Sequence, residues 1–122
     1  MATATVARRL EPALYAALLL GAGCAWPSPE RQLLLDFFQA CRVYDTTVLA
    51  RLGTAPCNPQ ADGVVQDFEL IDVDDASDGA KIVTIDAHVR PLGSSPAPQR
   101  LRVRLEQVDR RWIVANIAAA AP

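Results

Sequence analysis

The sequence predicts an α+β domain: an N-terminal helix or helix pair packed on a curved four-stranded antiparallel sheet. Three observations carry this. Apolar residues recur at helical spacing between Leu34 and Leu52, strict alternation takes over after Gly63, and the alternating segments gather their apolar residues on one side. A period near 3.6 followed by a period of two reads as helix then strands. A single polar face per strand reads as an antiparallel sheet solvated on one side. One helical layer on one such sheet is an α+β arrangement.

The elements follow in order. Ser28-Pro29-Glu30 is a helix start: Ser28 caps free amides, Pro29 suits the first helical position, and Glu30 sits at the positive end of the dipole. Leu34, Phe37, Phe38, Cys41, Val48 and Leu52 then form an amphipathic stripe. Asp45-Thr46-Thr47, after Val43 and Tyr44, is a run of poor helix formers and N-caps that divides or bends the helix. Gly53 closes it, and Pro56, Asn58, Pro59 and Gly63 mark the following stretch as loop.

In the first strand, Val64 to Val73, the apolar phase slips between Leu70 and Ile71, which predicts a bulge. The second strand turns Val83, Ile85, Ala87 and Val89 inward and Thr84, Asp86, His88 and Arg90 outward. The third turns Leu101, Val103 and Leu105 inward. The last, Trp112 to Ile117, is apolar on both faces, as expected of an inner or partly covered strand, and leaves Asn116 as the one polar candidate for the interior. Turns are expected near Asp74–Gly79, Pro91–Pro98 and Asp109–Arg110.

The beginning of the chain reads differently. Arg8 and Arg9 precede a ten-residue apolar run from Ala13 to Ala22, and small residues surround Cys24. A basic start, a short apolar core and a small-residue site are the parts of a secretory signal, and the run is shorter than the roughly 20 residues a membrane-spanning helix needs. Leu20-Gly21-Ala22-Gly23-Cys24 resembles the lipobox of bacterial lipoproteins. That resemblance implies cleavage after Gly23 and a lipidated Cys24, and so an exported protein held to a membrane of the bacterial cell envelope. The expected organisation is a signal peptide over 1–23, Cys24 and a short tether over 24–27, one domain over 28–118 and a frayed tail over 119–122. The tether places Trp26 at the bilayer interface.

Three cysteines in an exported chain leave one without an intramolecular partner. Lipidation of Cys24 accounts for the odd one, and Cys41 and Cys57 remain as a candidate disulfide in an oxidising compartment. Such a bridge pins the Pro-rich loop to the helix, and closing a loop of about 15 residues contributes about 3 kcal/mol in the chain-entropy model.

The order of elements and the closing Arg111-Trp112-Ile113-Val114-Ala115-Asn116-Ile117 resemble the cystatin-like superfold that includes NTF2-like domains. The resemblance covers most of residues 28–118. It implies a cone between helix and sheet, where some NTF2-like enzymes place a catalytic Asp or His.

Composition and motifs bound the function. A net charge of −2, from 12 Lys+Arg against 14 Asp+Glu, argues against a nucleic-acid binder. Pairing the second and third strands across the Pro91–Pro98 loop sets Asp86 opposite Arg104 and His88 opposite Arg102. The polar face then gathers Asp86, His88, Arg90, Arg100, Arg102 and Arg104, a candidate platform for an anion or a protein partner, or else a solvated face of cross-strand ion pairs. The acidic run from Asp67 to Asp78 lacks the spacing of a calcium loop and reads as a solvated turn. With one His and no nucleophile elbow, zinc motif or phosphate loop, the sequence names no catalytic residue, metal ligand or cofactor. The leading expectation is a non-catalytic lipoprotein domain that binds an envelope partner or a small apolar ligand. The alternatives are an NTF2-like enzyme using His88 or Asp86 and a structural envelope subunit.

Overall fold

The structure is a computed structural model that describes residues 28–120. The signal segment, Cys24, the tether and residues 121–122 lie outside these.

The helical part is two helices and a short third one. Helix α1 spans Pro29–Val43, with Ser28 as N-cap accepting the Arg31 amide. It ends because Tyr44 adopts the left-handed conformation, φ 53°, and returns its amide to Ala40 and Cys41. Asp45 at once caps α2, Thr46–Leu52, by accepting from the Val48 amide, so the polar cluster divides the segment into two helices. Within the expected loop, Asn58 caps a single turn, α3, Pro59–Asp62. Four strands follow: β1 Val64–Asp75, β2 Lys81–Arg90, β3 Ala97–Val108 and β4 Arg111–Ala119. They form one antiparallel meander in the order β1-β2-β3-β4.

The inner face is the one that alternation predicts. Val83, Ile85, Ala87, Val89, Leu101, Val103 and Leu105 are buried there against Leu34, Phe37 and Phe38 of α1. The phase slip in β1 resolves into two register shifts, between Val65 and Asp67 and between Leu70 and Asp72. These return Val65, Phe68, Leu70 and Val73 to one face, opposite Val89, Ala87, Ile85 and Val83. Helix α1 runs along this face. Its first turn meets the start of β2 through Glu30 and Lys81, and its last turn reaches β1, where Arg42 donates to the Gln66 carbonyl.

Three expectations are corrected. The β2 and β3 strands pair four residues from the expected register: Asp86 faces Arg100, His88 faces Pro98, and Arg104 faces Ile82. The turn closes early, over Pro91–Ser94, where Ser94 donates to the Pro91 carbonyl and Gly93 takes φ 75°. Ala97 and Pro98 are thereby released into the strand. Second, the last strand does not turn Asn116 inward: β4 is an edge strand, partly covered as the sequence allowed, where Gly53 bridges Val114 and the amides of Thr54 and Ala55 donate to the Val114 carbonyl. A bulge between Val114 and Asn116 switches its phase, so Asn116 turns out beside Arg104 instead of entering the interior. Third, Ala119 pairs with Leu101 and Ala120 donates to the Arg100 carbonyl, so the sheet continues into the expected tail.

Candidate functional site

Two places bring chemistry-bearing residues together, one on each side of the sheet. The outer face is built by the even-numbered residues of β2 and β3 and their β1 partners. At successive levels across β1, β2 and β3 stand Glu69, Asp86 and Arg100, then Asp72, Thr84 and Arg102, then Asp74, Ile82 and Arg104. An acidic row on β1 and an arginine row on β3 thus flank β2.

Several of these charges are already paired. Arg100 grips Asp86 through two bonds of 2.7 and 3.1 Å and holds that carboxyl below its ordinary pKa. Arg104 bonds both Asp78 and Glu106, and its hydrogen bond lowers the pKa of Asp78. His88 Nδ1 lies 2.5 Å from Asp67 of β1. The β2 neighbours His88 and Asp86 therefore bond different partners, and both lie on the face turned away from the helix. Arg90 and Arg102 are exposed and make no salt bridge among the described residues. Asp74 is pushed above its ordinary pKa, chiefly by its hydrogen bond to Asp72 and then by the charge of that carboxylate.

The second place is a cleft of about 380 Å³ between the C-terminal half of α1, the following loop and the inner face of the sheet. Phe37, Phe38, Val65, Val89, Leu101 and Ile117 supply apolar walls. The mouth is formed by the loop from Pro56 to Gly63, by Gln99 and by Ala119. Asp62 is the one charged residue among the cleft-lining residues described. Cys41 and Cys57 also line it: their sulfur atoms stand at bonding distance with Cα atoms 5.9 Å apart, so the loop is fastened to the helix beside the opening. Gly63 sits where β1 begins, at φ 79°, and a Cβ there would come within 2.9 Å of the Arg90 carbonyl, so close approach and backbone conformation both call for glycine.

The sequence pointed to the outer face and to the two cysteines. Through the resemblance it also pointed to a space between helix and sheet, but not to the residues of the mouth, which is assembled from the loop and from strand ends far apart in the chain. Among the described residues no group of three or more His, Cys, Asp or Glu is placed to hold a metal ion, and no helix is long and apolar enough to cross a membrane. No family model, curated protein or solved structure matches this chain.

Proposed function

We propose that this chain is a lipid-anchored envelope protein, its domain of the NTF2-like/cystatin-like kind, which binds a small apolar ligand in the cleft without transforming it. The cleft is the observation that carries the reading. Its volume falls in the range of ligand sites, about 300–1,000 Å³, and its walls are apolar with polar groups confined to the mouth. His88 and Asp86, the residues that a catalytic reading would use, sit across the sheet from it.

On the anchored reading the cleft faces away from the membrane. Ser28, the first residue after the tether, caps the end of α1 that meets Lys81, whereas the cleft is lined from Phe37 onward. A 15-residue helix is about 22 Å long, so an anchor at Cys24 holds one end of the domain to the bilayer and turns the cleft away from it. The ligand then arrives from the aqueous side.

Two measurements test the parts separately. Cys24→Ser is expected to release the protein from the membrane fraction and remove the lipid mass; unchanged fractionation and mass overturn the anchor. The released variant, free of detergent, is expected to bind an apolar fluorescent probe at one saturable site. Ala119→Trp, which fills the mouth from an exposed strand position, is expected to abolish that binding with the melting temperature preserved. Probe binding indifferent to this substitution overturns the cleft.

A further inference from the structure

We propose that the outer face of the sheet docks a second copy of this chain about a two-fold axis lying above β2 and parallel to it, the arginine row of each copy over the acidic row of the other. The observation is the equal level of the rows. Arg100, Arg102 and Arg104 stand on β3 at the heights of Glu69, Asp72 and Asp74 on β1, and β2 lies midway between. Adjacent strands are about 4.8 Å apart, so the rows are about 10 Å apart. A half-turn about an axis above β2 exchanges left for right and preserves height. It carries β1 of the second copy over β3 of the first, bringing Arg102 over Asp72, Arg100 over Glu69 and Arg104 over Asp74, and the same contacts recur with the copies exchanged.

The charges reject two other symmetric arrangements. A two-fold in the same plane but across the strands sets acid over acid and arginine over arginine. Pairing of two β1 edges brings the acidic rows side by side. Like charges directly opposed are unfavourable, so of these three arrangements the axis along β2 is the complementary one.

The central arginine is also the one of its row that makes no salt bridge within a single copy among the described residues. Arg102 is exposed and makes no salt bridge among the described residues, its charge acting on Asp74 only across β2, while the neighbouring Asp72 carboxyl pushes the pKa of Asp74 up. Half-buried Thr84 and Ile82 lie on the axis and meet their own counterparts. An axis parallel to the strands leaves both copies pointing the same way, with both Ser28 ends at one side. Two copies held to one bilayer satisfy that condition, and this clause alone rests on the anchored reading above. Contacts between exposed charges are weak and screened within about 8 Å at physiological salt, so the pair is transient in solution and favoured by confinement to a surface.

The test places a thiol on the axis. Membranes carrying full-length Thr84→Cys are treated with a short bis-maleimide, and dimer is measured on a reducing gel against the chain with native Thr84. The expected result is a dimer band specific to Thr84→Cys whose yield falls as salt is raised. Arg102→Glu added to it, or Asp72→Lys, is expected to lower the yield roughly three- to tenfold. Coexpressing the two charge-reversed chains is expected to restore it, because every contact is again between opposite charges. Matching melting temperatures of the variants establish that they are folded. Absence of a Thr84-specific band, a band indifferent to salt and to both reversals, or failure of the mixed pair to recover overturns the proposal. If the protein fractionates as soluble, the anchor fails, and the same cross-linking on the soluble protein decides the face.

Discussion

Lys81 Nζ lies 2.8 Å from Glu30 Oε1, joining the first turn of α1 to the start of β2 across 51 residues of sequence. Lys81 occupies an inner-face position of β2 at the rim of the core, and its ammonium also stands 4.7 Å from the centre of the Trp112 ring. The bond to Lys81 holds the Glu30 carboxyl below its ordinary pKa of 4.5, outweighing the opposing effect of burial. A carboxylate whose folded pKa is depressed contributes stability that is fully present above its unfolded pKa and lost as pH falls through the folded one. Glu30→Gln is expected to cost about 1 kcal/mol at neutral pH, a moderate value because the pair is only partly shielded from solvent. The cost should shrink below pH 4.5 and vanish in acid. Urea melts of both proteins at pH 7 and in acid check this, and equal stability at pH 7 removes the pair from the account.

Gly53 is a point of close backbone approach between the helical layer and the sheet. A Cβ there would stand 2.2 Å from the carbonyl oxygen of Val114, which also receives the amides of Thr54 and Ala55. Its φ of 179° is open to any residue, so the requirement is space alone. Gly53→Ala must push backbone from backbone and is expected to destabilise by roughly 2–3 kcal/mol, as overpacking does. Gly93→Ala is the control. Its Cβ would meet nothing within 4 Å, and only its φ of 75° opposes the change, at about 1 kcal/mol. Denaturant midpoints with unchanged slopes should rank the two in this order.

Leu34 is fully buried between α1 and the sheet. Leu34→Ala is expected to cost roughly 2–5 kcal/mol, the range for a large-to-small change that leaves a cavity. Exposed Leu92, in the β2–β3 turn, should tolerate the same substitution within about 0.5 kcal/mol. A comparison of thermal midpoints separates these outcomes.

The contrast between Leu34 and Asp86 marks what was legible. The core could be read because burial acts on each residue separately: an apolar side chain at helical or alternating spacing states its own direction, as Leu34, Val83 and Val103 do. Pairing could not be read in this way. Sliding β3 along β2 by four residues keeps every side chain on its face, so the alternating pattern is blind to whether Asp86 meets Arg104 or Arg100. The choice was made by turn geometry at Pro91–Ser94. The apolar final strand hid two effects. Trp112 and Val114 face inward, the bulge at Ala115 hands the inner face to Ile117, and Ile113 is buried on the outer side opposite Glu106. The cleft was harder still, since its mouth joins Cys57, Asp62, Gln99 and Ala119 through tertiary contacts that no local period records.

Cys41 and Cys57 connect stability to the cleft, because the same pair that fastens the loop also lines the opening. A bridge across a sequence separation of 16 is worth about 3 kcal/mol through the entropy it removes from the unfolded chain. Cys41→Ser with Cys57→Ser is expected to lose roughly 2–3 kcal/mol of stability. It should also weaken binding of an apolar probe by more than the loss of folded protein explains, because the Pro56–Gly63 segment then has no covalent hold on α1. Alkylation of the unreduced protein should label neither Cys41 nor Cys57, and reduction should expose both to the reagent. Labelling before reduction refutes the bridge. Loss of stability with probe affinity intact instead confines the bridge to a stabilising role and leaves the mouth held by Gly63 against Arg90 and by the Asn58 cap of α3.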